Sequence, residues 1–245
     1  MDYSLPVISW IDIGVIFLPM VIVFVLMFRW SLQAWTAVYS TARMLLQLIL
    51  IGYFLVYIFE AQNAWIICLV LAVMLTVASW ISLNPVQAKR RYLYPYVLVS
   101  LAVGGGLVLF LVVWGVLHIE PWYRPQYTVP LAGMIFANSM NTVSLSAERF
   151  ESEISNGRSP EEAKIVAFQT GMIPVINSMF AVGLVALPGM MTGQILSGVS
   201  PLIAVRYQIV VMCMLFAASG ICAAIYLVLV SRRIASAGSE LGFSE

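Results

Sequence analysis

The sequence predicts an all-α integral membrane protein, a polytopic helical bundle of about seven transmembrane helices. Three observations predict it: the composition, the length of the apolar runs and the one-sided distribution of basic residues. Of the 245 residues, 62% are hydrophobic and 9% are charged, and the mean hydropathy is +0.98. A typical soluble domain is about 45–50% apolar and about 25% charged. A water-soluble fold cannot bury so much apolar surface, so we expect the excess to face lipid.

Seven apolar runs approach the length that crosses a bilayer, whose hydrocarbon core of about 30 Å takes about 20 helical residues. The runs are 7–28, 35–59, 64–83, 96–117, 129–147, 172–187 and 204–230. The sixth run is short. We expect residues 1–245 to form a single transmembrane domain, because no polar stretch is long enough for a separate soluble domain.

The basic residues orient these spans. In a seven-span arrangement ten of the twelve Lys and Arg residues lie on one side, and only Arg124 and Arg206 lie on the other. The ten are Arg29, Arg43, Lys89, Arg90, Arg91, Arg149, Arg158, Lys164, Arg232 and Arg233. The positive-inside rule therefore predicts an external N-terminus, a cytoplasmic C-terminus and a multi-pass protein of the cytoplasmic (inner) membrane.

Residues 148–169, between the fifth and sixth runs, form the most charged stretch of the chain, with five acidic and three basic residues. Asn156-Gly157 is a strong helix C-cap signal. Ser159, Pro160 and Glu162 then fit an N-cap, a first helical position and a capping box. These signals predict a cytoplasmic helical hairpin that serves as a docking element. The alternative is a loop that only connects two spans.

Polar residues inside the apolar runs are candidates for a translocation pathway or a dimer seam. Arg43 and Gln47 lie one helical turn apart in the second run, Asn138 and Asn141 lie in the fifth, and Asn177 lies in the sixth. A charge at the centre of a span costs about 2.5–3.5 kcal/mol on insertion scales, so it needs a compensating role. Arg43 has the alternative of reaching the cytoplasmic surface with its long side chain. The amides have the alternative of hydrogen-bonding to neighbouring helices.

Residues 188–201 form a glycine-rich, broken apolar stretch. Non-helical backbone near the membrane persists only where it is buried in protein or lines water, so this stretch is a candidate external gate or re-entrant segment. The alternative is an interfacial turn. The predicted gate residues are Pro188, Gly189, Met190, Met191 and Gln194. Met190 and Met191 offer soft thioether ligands, but most methionines of so apolar a chain are expected to pack.

Other function classes find little support in the sequence. A net charge of +1 gives no sign of nucleic-acid binding. Cys68, Cys213 and Cys222 form no metal-binding or redox motif, His118 and Glu120 do not make a metal cage, and no nucleophile–base pair stands out. The chain has no GxxxxGK[ST] loop, so any ATP chemistry must come from another polypeptide. We therefore expect no enzyme, no metal site and no cofactor bound by this chain.

The sequence resembles one family, the FetB-like permeases of ABC transporters, which are related to plant aluminium-tolerance permeases. The resemblance covers nearly the whole chain and is strongest after Thr128. It runs through Ala42-Arg43 with Gln47 and Gly52-Tyr53, then Gly133–Ile135, Asn138–Asn141, Ile173–Met179, Leu187–Gln194, Gly198–Pro201 and Ala204–Gln208. The block from Pro174 to Gln208 is long and unusual enough to be highly specific.

The resemblance implies a permease subunit that pairs with a separate ATPase, which would carry ATP and Mg²⁺, in an assembly of two permeases and two ATPases. It also implies export of iron or another metal. Combined with the predicted hairpin, it suggests that the ATPase-coupling residues are Arg149, Phe150, Glu151, Glu153 and Arg158, with Phe150 as an apolar anchor. Nothing in the residue spacing alone indicates metal export.

The sequence is also compatible with two other functions. A stand-alone secondary transporter or channel would carry acidic residues at mid-membrane and an inverted repeat, and neither is clear in this sequence. A membrane scaffold would use the hairpin to recruit a soluble enzyme.

Overall fold

Helices make up almost all of the computed structural model, which describes residues 9–30, 34–60 and 63–240. The helices are α1 (Trp10–Arg29), α2 (Ala34–Glu60), α3 (Ala64–Ile81), α4 (Arg90–Ser100), α5 (Gly106–Phe110), α6 (Pro125–Ser155), α7 (Pro160–Ala181), α8 (Gly189–Leu196) and α9 (Pro201–Glu240). A 3₁₀ turn, Asn84–Lys89, precedes α4, and two π-helical segments, Leu101–Gly105 and Leu111–Val116, flank α5. The predicted all-α class is confirmed.

Within the described residues, five helical segments are long and apolar enough to cross a membrane. They are Asp12–Arg29, Ala34–Glu60, Ala64–Ile81, Asn84–Val116 and Pro201–Ala235. Each coincides with one of the predicted spans. The predicted fifth and sixth spans fall on α6 and α7, whose amides and hydroxyls make them too polar to be recognised by hydropathy. Their passage through the bilayer, and with it the count of seven, stays a prediction.

The chain divides into two compact units, Met1–Glu60 and Ala61–Glu245. In the first unit, α1 begins with a capping box in which the Asp12 backbone N–H donates to the Ser9 hydroxyl and Asp12 accepts from the Ser9 backbone N–H. Such reciprocal bonds satisfy N–H groups that a helix start leaves without partners. Both helices of this unit are predominantly apolar, as expected of segments that face lipid.

The core of the second unit lies where α6, α7 and α9 pack together, with α4 and the π-helical segment Leu101–Gly105 against α9. Large side chains fill this core, and Phe150, Ile135 and Tyr226 are fully buried. Small residues allow the backbones to approach closely, as is common between membrane helices. A Cβ added to Gly104 would lie 2.8 Å from the Sγ of Cys222 on α9. Gly104 therefore lets α9 approach this segment closely.

The tightest crossing joins α6 and α7 at Gly171. A Cβ at this residue would lie 2.1 Å from the Ser146 Oγ and 2.8 Å from the Thr142 carbonyl oxygen. A serine side chain can rotate away, but a helix carbonyl cannot, so only glycine fits without separating the two helices. This crossing lies next to the predicted hairpin and sets how α7 stands against α6.

Two predicted helix boundaries need correction. Helix α7 ends at Ala181, not at residue 187, because the chain turns at Gly183, whose φ is +84°, and Pro188 starts a new helix. The ten helical residues 172–181 rise only about 15 Å, half of the hydrocarbon core. A membrane-crossing α7 must therefore use residues before 172. Helix α6 begins at Pro125, four residues before the predicted span.

We expect Gly171→Ala to lower the free energy of unfolding by about 1–3 kcal/mol, because overpacking against a backbone atom cannot be relieved by a rotamer change. Thermal unfolding of the detergent-solubilised protein would measure the loss. Gly106→Ala is the matched control: no atom lies within 4 Å of its added Cβ, so this variant should be at least as stable as the native chain. Equal stability of the two variants would contradict the proposed crossing.

Candidate functional site

The helical hairpin predicted between residues 148 and 169 is formed by the end of α6 and the start of α7. Helix α6 ends at Ser155, and Gly157, with φ +83°, makes the turn. Ser159 caps α7: the Glu162 N–H donates to the Ser159 hydroxyl, and Glu162 Oε2 accepts from the Ser159 backbone N–H at 3.2 Å. Pro160 stands at the first helical position. The predicted caps and turn are confirmed.

Charged side chains brace the turn. Glu153 is 3% exposed, and its carboxylate pairs with Arg149 on the same helix and with Arg158 beyond the turn, where Arg158 Nε lies 2.9 Å from Glu153 Oε2. Glu151 pairs with Lys89 at the end of the 3₁₀ turn. Ion pairs therefore join the two sides of the turn to each other and join the hairpin to the segment before α4.

Burial changes the roles predicted for two of the coupling residues. Phe150 is fully buried in the core and Glu153 is nearly so, because residues 143, 146, 147, 150 and 153 share the face of α6 that packs inward. Neither side chain can touch a partner in this conformation, and the prediction of Phe150 as a direct apolar anchor is wrong in that respect. The exposed surface of the hairpin is its tip, residues 155–162, with Ile165 beside it.

A small polar cavity lies between α6, α7 and α9. Its volume is about 90 Å³, and it is lined by Asn138, Asn141, Thr142, Pro174, Val175, Ser178, Met212 and Leu215. The two asparagines that the sequence singled out therefore share one cavity. Asn138 Nδ2 also donates to the Met134 carbonyl at 3.0 Å, which fixes its orientation. Asn177 is exposed on α7 and is not among the lining residues, whereas its neighbour Ser178 lines the cavity.

Helix α8 separates two larger cavities. The first, called here the sulfur cavity, has a volume of about 380 Å³ and is lined by Met179, Val182, Gly183, Leu187, Pro188, Met191, Val205, Gln208, Ile209, Met212 and Cys213. The second, of about 540 Å³, is bordered by α6, α8 and α9 and includes Tyr127, Met134, Met190, Gln194 and Tyr207. The predicted gate residues are thus divided: Pro188 and Met191 face one cavity, and Met190 and Gln194 face the other.

The remaining pathway residues lie in the first unit. Arg43 and Gln47 are one helical turn apart on α2, and both are exposed. The pathway or gate roles predicted for these residues, for the two asparagines and for the gate segment stay predictions.

Sequence reasoning missed several residues of these sites. Lys89 was counted only for orientation, although it pairs with the hairpin. Gln208 and Met212, one turn apart on α9, both line the sulfur cavity. For Gln208 the available signal was a glutamine inside an apolar run, because a polar side chain at that depth needs a polar partner. Nothing in the sequence marks Met212 among thirteen methionines.

The described residues contain no group of three or more His, Cys, Asp or Glu side chains placed to hold a metal ion. The long apolar helices define a multi-pass helical membrane protein.

The chain belongs to the family described as Uncharacterised protein family (UPF0014), whose model matches residues 10–235. It is 35% identical to the UPF0014 membrane protein slr1647 of Synechocystis over 86% of this chain and 88% of that protein. It is 32% identical to Protein ALUMINUM SENSITIVE 3 of Arabidopsis thaliana over 74% and 71% of the two chains. It is 29% identical to the Probable iron export permease protein FetB of Escherichia coli over 83% of each chain. No solved structure matches the chain.

The capping box gives the hairpin a testable pH dependence. The hydrogen bonds from the Ser159 side chain and backbone lower the pKa of Glu162 below its usual value. A carboxylate whose pKa is lowered by folding contributes stability above its unfolded pKa, about 4.3, and loses it as the pH falls through the folded value. We expect Glu162→Gln to expose the first turn of α7 to hydrogen exchange at neutral pH. This difference from the native chain should shrink below about pH 4.

Glu161→Gln is the control, because Glu161 is the exposed neighbour that takes no part in the cap and pairs with Lys164. It should leave the exchange of the first turn nearly unchanged at every pH. A Glu162→Gln effect that stayed constant down to pH 3 would show that the carboxylate charge does not hold the cap.

Proposed function

We propose that this chain is the permease subunit of an ABC transporter of the cytoplasmic membrane, and that it exports iron or another metal with energy from a separate ATPase subunit. The E. coli relative is named as a probable iron export permease. We further propose that two copies of the chain act with two ATPases, and that ATP and Mg²⁺ bind to the ATPase. The hairpin carries the proposal, because it combines an exposed tip with a base held in the core.

The hairpin has the properties that a coupling element needs. A partner that pushes on a flexible loop loses its work in loop motion, whereas a capped helix transmits displacement along its axis. Here the tip is exposed, and the base is held by buried Phe150 and by the ion pairs of Glu153. The proposed contacts to the ATPase are the exposed parts of Arg149 and Arg158 and the tip, with Glu151 as a lesser contact. Phe150 and Glu153 act as positioning residues.

Helix α7 links the tip to the polar cavity. One continuous helix runs from Pro160 to Ala181, and it contributes Pro174, Val175 and Ser178 to the cavity wall. From Glu161 to Ser178 the helix rises about 26 Å. Because Gly171 packs directly on α6 between these two ends, a push at the tip is expected to pivot α7 at this crossing. The pivot would change the width of the cavity.

The rival functions differ in a measurable way. A secondary transporter or channel would move its solute without nucleotide hydrolysis, and a scaffold would move none. The proposal therefore requires that the purified chain alone is inactive, and that its ATPase gains activity when the two are reconstituted together.

We expect Arg158→Glu to reduce permease-stimulated ATP hydrolysis in liposomes at least tenfold, since it inverts charge at the tip and removes the Glu153 pair. Arg124→Glu is the matched control. It makes the same change at the other end of α6, about 46 Å away along a helix of 31 residues. Glu161→Lys, at an exposed site outside the brace, serves as a second tip variant if Arg158→Glu proves unstable.

Equal stimulation by the Arg158 and Arg124 variants would contradict the coupling role of the hairpin. So would labelling that places position 158 on the external face. Single cysteines at positions 124 and 158 test this sidedness in a background that lacks Cys68 and Cys213, because both native thiols are exposed.

A further inference from the structure

Sulfur side chains from three helices meet at the sulfur cavity. Met179 comes from α7, Met191 from α8, and Met212 and Cys213 from α9. Methionines that serve only as packing fill the space between helices, because protein interiors are packed as densely as organic crystals. Here the four sulfur-bearing residues line a concave space of about 380 Å³ that is open on one side, where Met179 and Cys213 are exposed. Three thioethers and a thiol therefore line a cavity that they do not fill.

A buried amide without a partner adds an independent observation. Gln208 lines the same cavity, is 5% exposed, and its Oε1 has no hydrogen-bond partner among the described residues. A buried polar atom without a partner costs about 1–3 kcal/mol, so it calls for an explanation such as a water or an ion. The Gln208 amide oxygen is buried in the cavity wall, so an ion would reach it only after the side chain rotates toward the cavity.

The donor set indicates the class of ligand. Thioether and thiol sulfur are soft ligands that favour Cu(I) and disfavour hard cations such as Mg²⁺ and Ca²⁺, which prefer oxygen. Methionine thioethers are neutral, so several of them fit a monovalent ion without accumulating buried negative charge. The remaining lining residues are aliphatic, glycine or proline, and they offer nothing to a polyvalent ion.

The sulfur cavity shares one wall residue with the polar cavity. Met212 lines both, and the polar cavity is also lined by Asn138 and Asn141. An ion held by Met212 would therefore lie beside a second cavity that offers amide and hydroxyl groups. Such adjacent weak sites allow an ion to enter and to leave, as conduction requires.

We propose that the sulfur cavity binds a soft monovalent metal ion of the Cu(I) class through Met179, Met191, Met212 and Cys213, with Gln208 alongside. This inference deepens the proposed function and, for transport, rests on it, since it names the class of cargo. The binding itself involves no ATPase and is tested without one.

Ag(I) is the probe, because it shares the ligand preference and charge of Cu(I) and is not oxidised in air. The full-length protein carries Cys68→Ala, which removes the other exposed thiol, and is studied in detergent in a chloride-free buffer. Metal retained after desalting against a competing thiol chelator is measured by mass spectrometry. We expect one Ag(I) per chain, and slower maleimide labelling of Cys213 when Ag(I) is bound.

Matched double variants locate the site. Met191→Leu with Met212→Leu removes two proposed ligands at nearly constant volume and should weaken Ag(I) retention at least tenfold. Met134→Leu with Met190→Leu changes two methionines of the neighbouring cavity and should leave retention unchanged. Thermal unfolding of both variants checks that they are equally folded.

Three results would overturn the inference: no Ag(I) retained by the native cavity, equal losses in the two double variants, or Cys213 labelling that Ag(I) does not slow. These failures are distinct from failure of the proposed function. If the chain couples to its ATPase through Arg158 but binds no Ag(I), only the metal site is contradicted. If the chain binds Ag(I) but does not stimulate an ATPase, the metal site stands and the proposed transporter function is contradicted.

Discussion

The close contact of α6 with α7 at Gly171 is the constraint on which the second unit depends. With the Thr142 carbonyl at 2.8 Å from the position of an added Cβ, the two helices touch backbone to backbone. In a bilayer, apolar side chains gain little by leaving lipid for protein, so close packing of this kind carries much of the association energy. The crossing lies on α7 between the hairpin and the residues that line the polar cavity.

In the proposed mechanism, α7 connects the hairpin to the polar cavity. Buried Phe150 and the doubly paired Glu153 hold the hairpin base, and α7 would carry a displacement past Gly171 to Ser178. A buried carboxylate is tolerated only when its charge is compensated, and two guanidinium groups do this here. The arrangement suits a subunit that receives work at one end and changes a cavity at the other.

Helix α8 shows that residues adjacent in the sequence need not share a site. Met190 and Met191 are adjacent in the chain and were assigned together to the external gate, but a helix turns about 100° per residue. The structure places them in different cavities, and Met191 meets methionines from α7 and α9 instead. Phe150 gives the same lesson, because an apolar residue in a charged segment looked like an anchor for a partner and is fully buried in the core.

The sequence by itself determined the helical membrane class, the five most apolar spans and the capped turn at Gly157 and Ser159. Those features depend on composition and on bonds between residues at most four apart, which are legible in the chain. Only the tertiary structure decided that Asn138, Asn141 and Ser178 share a cavity, that Lys89 reaches Glu151, and that three helices bring sulfur to one place. Such contacts depend on helix rotation and crossing, which are set by close packing at residues such as Gly171 and leave no periodic signal.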